Sequence, residues 1–277
     1  MAKQALSRIR LALGLGLGSS AAIALAFTVA PAGGEPSALT PDLVTLAIQQ
    51  ESLLVQPDEK GRTVLRLSNE IGNRASGPLE VFPSAISADC DGDGDLANDR
   101  DASQRIFADT NGSGGYEAGI DAVESERVFG CMRYHPAHDH WHMLDVARYE
   151  LRREATGKLV ADSRKVGFCL TDTRLAFPTT LTPQVATYPI GSAKPTGCDA
   201  ISTQGISAGW ADLYALALPG QRLRVDGLRR GGYCLTSRAD PTDLIEELDE
   251  ANNVRRVRLT LHPRKFLVRR RNGPCRI

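Results

Sequence analysis

The chain has no net charge: 33 Lys and Arg stand against 33 Asp and Glu. A balanced total gives no electrostatic reason to bind nucleic acid. None of the 6 cysteines sits in a C-x-x-C pair, which argues against a thiolate zinc site. Helical periodicity is nearly absent, and after about residue 29 there is no second long apolar run. No further membrane span is therefore expected, and the processed protein should be soluble. With 42% hydrophobic and 24% charged residues, the composition is that of a globular chain, not a disordered or fibrous one.

What the chain does have begins with a targeting segment. Lys3, Arg8 and Arg10 precede an apolar stretch from Leu11 to about Val29, followed by Ala30-Pro31-Ala32. This is the layout of a secretory signal peptide, expected to span 1–32 with Ala32 the last residue removed, and it leaves 33–277 as one domain. A retained anchor is the competing reading. Removal takes three positive charges and no acid, a net of −3 for the mature chain. Export makes an even cysteine count read as disulfides. Six cysteines allow fifteen connectivities, and pairing neighbours in order gives Cys90–Cys131, Cys169–Cys198 and Cys234–Cys275.

Short β-rich runs recur at 42–47, 63–67, 144–151, 166–170, 222–225, 232–237 and 254–261, with turn residues between them. Such spacing predicts a mainly β protein with an antiparallel β-sandwich core. The stretches 84–130 and 171–213 read as long irregular loops, stiffened by disulfides and calcium. Charge is uneven. Residues 89–126 carry eleven acids against two arginines, whereas 255–277 carry nine Lys/Arg and no acid. The basic tail 263–277 would hold the protein on an anionic cell wall, or is simply solvated.

Two acidic clusters stand out between 89 and 121. The first holds Asp89, Asp91, Asp93, Asp95, Asp99 and Asp101; the second holds Asp109, Asn111, Ser113, Glu117 and Asp121. Alternating carboxylates around a glycine wrap oxygens about a hard cation, and calcium fits best. In both clusters the closing acid falls one place later than an EF-hand requires.

Four of the 5 histidines lie within eight residues: His135, His138, His140 and His142. On a strand, the alternating His138, His140 and His142 would converge on one face. Three imidazoles suit zinc or copper and leave a coordination position open, the mark of a catalytic site. Spacing alone does not separate the two metals.

Read with its surroundings, this run resembles the catalytic domain of the lysyl oxidase family. That family carries His-x-x-His-x-His-x-His, matched by His135, His138, His140 and His142, of which the last three fall on its copper ligands. Its Lys two residues before Phe-Cys-Leu-x-Asp-Thr is matched by Lys165 and Phe168–Thr173. Its Gly-Ile/Leu-Ser-x-Gly-x-x-Asp-x-Tyr is matched by Gly205–Tyr214, its Pro-Asp-Leu-Val by Pro41–Val44, and its Glu-x-Asp-x-x-Asn-Asn by Glu247, Asp249, Asn252 and Asn253. The matches run in one order over 40–262.

The resemblance implies a secreted, copper-dependent amine oxidase reduced to the catalytic domain, as in a bacterial version. It implies lysyl tyrosylquinone built from Lys165 and Tyr214, with His135 close to the copper but not a ligand. Primary amines or lysine-bearing proteins would be deaminated to aldehydes with O2, releasing H2O2 and ammonia. It also implies a calcium site of Asp42, the Leu43 carbonyl, Glu247, Asp249, Asn252 and Asn253. The chain departs from the family at Arg148, where a histidine serves as the proposed general base; arginine stays protonated, leaving Asp212 or Asp172 as substitutes. It has Ala137 in place of a family cysteine, and the acidic segment 89–121 is an insertion. Two competing readings remain: a non-catalytic, calcium-stabilised secreted binding protein on the same fold, and a zinc hydrolase, for which the motif offers no glutamate base.

Overall fold

A computed structural model describes residues 36–277 except 91, 95, 137–138, 164–165, 184, 189–202 and 276. The expected signal peptide at 1–32 lies outside the described residues. In chain order the strands are β1 (Ala38–Leu39), β2 (Leu43–Thr45), β3 (Leu53–Pro57), β4 (Thr63–Leu67), β5 (Asn69–Asn73), β6 (Leu79–Ser87), β7 (Asp99–Ala108), β8 (Ala122–His135) and β9 (His140–Arg153). There follow β10 (Leu159–Asp162), β11 (Val166–Phe168), β12 (Arg174–Leu175), β13 (Gln204–Ile206), β14 (Trp210–Tyr214), β15 (Arg222–Arg224), β16 (Gly231–Ala239), β17 (Val254–His262) and β18 (Leu267–Arg271). The helical content of the described residues is two single 3-10 turns, Glu250–Asn252 and Pro263–Lys265. No helix among them is long and apolar enough to cross a membrane.

An 11-stranded sheet runs β13-β6-β7-β8-β9-β16-β17-β18, with β1 on β7 and both β10 and β11 on β9. A 4-stranded sheet, β12-β14-β5-β2, and a 3-stranded sheet, β15-β4-β3, complete the unit 36–277. Every pairing is antiparallel. Alternation sets the two faces of the large sheet. In one row Leu151, Leu235 and Val257 stand side by side and are buried, facing the small sheets. The next row, Arg152, Cys234 and Arg258, points the other way. Burying each leucine contributes roughly 1.5–3 kcal/mol. Leu43, Leu65, Leu67 and Ile71 of the small sheets meet Tyr149, Leu151 and Leu235 of the large one in a single core.

The mainly β, antiparallel architecture is the one the sequence predicts, and all seven runs contain strands. The loop reading of 84–130 is wrong, because most of β7 and β8 lies inside it, along with the end of β6. Their polar sequences conceal them. Ser103 and Gln104 of β7 are buried, and Gln104 satisfies its amide on the backbone of Glu246, Nε2 to O at 2.8 Å and Oε1 from N at 2.8 Å. The stretch 171–213 is likewise interrupted, by β12, β13 and β14.

Two of the expected disulfides are present, Cys90–Cys131 and Cys234–Cys275. Each spans 41 residues, and closing a loop of that length stabilises by roughly 4 kcal/mol in the chain-entropy model. Cys169 is disulfide-bonded; its expected partner, Cys198, lies outside the described residues.

Candidate functional site

The histidine run folds as a hairpin and not as a continuous strand. β8 ends at His135 and β9 begins at His140, with Asp139 in the turn at φ 59°. The Tyr134 hydroxyl donates to the Asp139 carboxylate, and Tyr134 packs edge-on against Trp141. Pairing puts His135 opposite His140 and Arg133 opposite His142. Strand alternation therefore brings His140 and His142 to one face, and His135 joins them from the neighbouring strand. His138 lies outside the described residues, so of the three expected ligands the structure describes His140 and His142, both on β9.

The imidazoles lie close. His140 Nε2 is 2.9 Å from His142 Nε2, and the His135 and His142 ring centroids are 5.4 Å apart and stacked. Imidazole nitrogens bond a divalent metal at about 2.0–2.1 Å, so two at right angles stand about 2.9 Å apart. The donor set fits a copper or zinc ion. Beside it Arg133 grips Asp99 in a fork, at 2.8 and 2.9 Å, and the guanidinium holds the Asp99 carboxyl below its usual range.

One residue beyond His142, Met143 is paired with Phe168 of β11. The Phe168 ring stacks on Tyr214 of β14 at 3.6 Å between centroids and 25° between planes. The Tyr214 hydroxyl donates to the carbonyl of Cys169. The ring is half-buried with its hydroxyl turned inward, and burial together with nearby Asp212 pushes the phenol well above its ordinary pKa. Lys165 lies outside the described residues. Gln204, buried in β13, joins the two halves: its Nε2 donates to the Trp141 carbonyl at 2.5 Å, and its Oε1 accepts from Leu170 N at 3.1 Å. Neither Gln204 nor this connection stood out in the sequence, because a lone glutamine carries no motif.

The two carboxylates considered as bases are distinguished by their partners. Asp172 accepts from Ser207 N at 2.8 Å, Ser207 Oγ at 2.6 Å and Tyr188 N at 3.0 Å. It fastens segments together and has little capacity left. Asp212 accepts from Thr171 N at 3.2 Å and lies beside the Tyr214 hydroxyl; burial raises its pKa well above the carboxylate range. Arg148 is exposed, within 3.6 Å of both Glu150 and Asp162, and Tyr149 beside it points into the core.

The oxygen-rich set is also assembled. Leu43 N donates to Glu247 at 2.6 Å, Asn252 Nδ2 to Asp42 at 2.7 Å and to Asp249 at 3.0 Å, and Asn253 Nδ2 to Glu247 at 2.6 Å. The Oδ1 atoms of Asn252 and Asn253 are buried without a hydrogen-bond partner. Oxygens so disposed fit a hard cation. Asp240 and Glu250 bring carboxylate oxygens within 4.8 Å of Glu247, an addition the spacing did not signal. Burial raises Glu247 to about 7 and, with repulsion from Glu247, Glu250 to about 8.

The acidic clusters fare differently. Asp99 and Asp101 belong to β7 and not to a loop, and Asp99 is committed to Arg133 and to Cys90 N. Asp89 caps Gly92 N at 2.7 Å, Asp93 is exposed in the same turn, and Asp91 and Asp95 lie outside the described residues. The second cluster closes on itself. Asp109 accepts from Ser113 N and Gly114 N, Asp121 from Thr110 N and Glu117 N, and Asn111 Nδ2 donates to Glu117.

These features define a disulfide-stapled, all-β domain in which a half-buried tyrosine stacks on a phenylalanine whose strand pairs with the histidine hairpin. A family model described as "Lysyl oxidase" matches residues 119–270, more than half of the chain. The chain belongs to the lysyl oxidase family. Lysyl oxidase homolog 1 of Homo sapiens is 32% identical over 130 residues, 47% of this chain and 20% of that protein. Protein-lysine 6-oxidase of Rattus norvegicus is 32% identical over 132 residues, 47% of this chain and 29% of that protein. For protein-lysine 6-oxidase of Sus scrofa the figures are 31% over 132 residues, 47% of each. The match thus spans less than half the length of these relatives. The family-model match, 119–270, includes the hairpin, Lys165, Tyr214 and 247–253, and leaves out Asp42, Leu43 and nearly all of the acidic segment.

Proposed function

We propose that the chain is a secreted, copper-dependent amine oxidase of the protein-lysine 6-oxidase type. It converts primary amines, free or on lysine side chains, to aldehydes with O2, releasing H2O2 and ammonia. The observation that supports this reading is the stacking of Phe168 on Tyr214, with Phe168 paired to Met143, the residue after His142. Copper on His138, His140 and His142, with His135 beside them, and a quinone derived from Lys165 and Tyr214 would supply the electrophile and the route to O2 that ordinary side chains lack.

The remaining roles belong to the chain itself. Phe168 fixes the plane of the tyrosine ring, and the Cys169 carbonyl orients its hydroxyl. Asp212, in a buried position beside that hydroxyl, is the group that accepts and holds a proton there. Arg148 stays protonated and takes no part in proton removal. Calcium on Asp42, the Leu43 carbonyl, Glu247, Asp249, Asn252 and Asn253 ties β2 to the loop before β17, and the 109–121 turn is a second calcium loop. Disulfides fit an exported protein.

Phenylhydrazine labelling of the copper-loaded protein tests the reading: a coloured adduct mapped to the Tyr214 and Lys165 peptides supports it. Copper bound at the histidines with no adduct and no peroxide would favour the non-catalytic binding protein instead.

A further inference from the structure

The outward face of the large sheet carries an arginine cleft away from the histidine hairpin. Register places Arg148 of β9 directly opposite Arg238 of β16, and the next row holds Glu150, Thr236 and Arg256. With Arg152 these side chains line a cleft of about 410 Å³. Four guanidiniums face a single side-chain carboxylate among the lining residues, Glu150, which lies 3.0 Å from Arg152 and 3.6 Å from Arg148. Asp162 reaches Arg148 from β10 at 3.6 Å, and Glu154 is committed to Arg258 and Arg271 farther along the same face. Arg238 and Arg256 form no ion pair with any described residue.

Two observations set this cleft apart from an ordinary solvated face. First, like charges directly opposite one another on neighbouring strands are destabilising, and arginine does not relieve the repulsion by losing its proton. The sheet keeps the Arg148–Arg238 pair nonetheless. Second, the cleft has a built wall. Cys234 points to this same face and is bonded to Cys275, which pins Cys275 there, and Ile277 stands on the cleft lining. The result is concave, all-arginine on its basic side, and supplied with a hydroxyl at Thr236. Planar guanidinium forks match the paired oxygens of phosphate and sulfate.

From this we infer that the cleft is a binding site for a tetrahedral oxyanion, phosphate or sulfate, either as the free ion or as a group borne on a polymer. Arg238 and Arg256 are the principal ligands, with Arg148 and Arg152 tethered at the edge by Glu150. The site is separate from the amine-oxidising residues and stands or falls without them.

Isothermal titration of the processed, calcium-loaded protein tests it at constant ionic strength. Inorganic phosphate, inorganic sulfate and long-chain polyphosphate are the three titrants. The double variant Arg238→Gln/Arg256→Gln should weaken binding at least tenfold without lowering the melting temperature, since it removes a repulsive pair. The control Arg229→Gln/Arg230→Gln, which removes the same charge from the loop before β16, should bind as the wild type does. Saturable binding of the free ions identifies a small-anion site, and binding of polyphosphate alone identifies a polymer-borne group; both support the assignment. It is overturned if no titrant binds, if the cleft variant binds unchanged, or if the control loses as much as the cleft variant.

Discussion

Replacing Gln204 tests whether the histidine hairpin and the tyrosine segment are one structural unit. Gln204→Met keeps most of the side-chain volume and removes both hydrogen bonds, to the Trp141 carbonyl and from the Leu170 amide. The Leu170 N–H is then left without its acceptor in the interior, and a stranded buried donor costs about 1–3 kcal/mol. The Trp141 carbonyl is the cheaper loss, because a carbonyl has two lone pairs and tolerates partial satisfaction. Together the loss should be about 2–4 kcal/mol. For a domain of this size each kcal/mol lowers the melting temperature by roughly 2–4 °C, so a fall of about 4–16 °C is expected. Calorimetry of the copper-free, calcium-loaded protein measures it. Quinone yield after copper loading should fall as well, since Phe168 and Tyr214 lose the side-chain tie to the hairpin and keep only the β11–β9 pairing. A Met variant within about 0.5 kcal/mol of wild type, the range of an unremarkable surface change, would show that Gln204 does not couple the two halves.

Further outcomes follow from the same geometry. Tyr214→Phe deletes the bond to the Cys169 carbonyl, worth about 1 kcal/mol, and should give a folded, copper-binding protein with no quinone absorbance and no peroxide on adding amine; Lys165→Ala should do the same. His140→Ala or His142→Ala should lower bound copper measured by atomic absorption and abolish quinone formation, not turnover alone. In the calcium-free protein Glu247 and Glu250 are raised by burial to about 7 and about 8, so the folded state retains protons that the unfolded chain has released. Stability is therefore full below the ordinary carboxylate pKa and declines as pH rises through 7 to 8. After discounting for solvent screening the decline is about 1–2 kcal/mol. Calcium should erase it, and a melting temperature that is flat with pH in the presence of chelator would contradict the assignment. Cys234→Ala/Cys275→Ala should cost up to about 4 kcal/mol in the chain-entropy model, read as a lower denaturant midpoint.

What was legible in the sequence is what local chemistry dictates. The apolar-rich run at 63–67 becomes β4, and the run at 254–261, which alternates apolar and polar residues from 256 on, becomes most of β17. β6 was hidden by Pro83, which normally confines a strand to an edge. Here β13 pairs only with residues 79–81 of β6, so at Pro83 that side of the strand has no partner among the described residues. β8 was hidden for another reason: its first seven residues are exposed, leaving no inward apolar stripe to read. The histidine cluster was visible as composition, but its geometry was not. A break of four residues between His135 and His140 turns the chain back, and only pairing across that turn reveals which imidazoles share a face.

The departure at Arg148 acquires a physical meaning from the same strand. Arg148 and Tyr149 are neighbours on β9, and alternation sends one to solvent and the other into the core, where its hydroxyl donates to Gln221 at 3.0 Å. The side chain at 148 thus faces the arginine cleft and not the Tyr214 hydroxyl. Where the resemblance puts a histidine, an arginine takes a titratable group from the outer face and adds to the basic cleft, while the Asp212 carboxyl sits on β14 of the 4-stranded sheet beside the Tyr214 hydroxyl. The proton transfer proposed at Tyr214, on the 4-stranded sheet, and the anion binding proposed at Arg148, on the outward face of the large sheet, then lie on opposite sides of the large sheet. On that division, Arg148→His should weaken phosphate binding without restoring a base to the tyrosine side, whereas Asp212→Asn should suppress amine oxidation with phosphate binding unchanged. Amine turnover and phosphate titration on the two variants separate the faces; an Arg148→His protein that gains amine oxidase activity in proportion to histidine ionisation would place residue 148 in the reaction and refute the division.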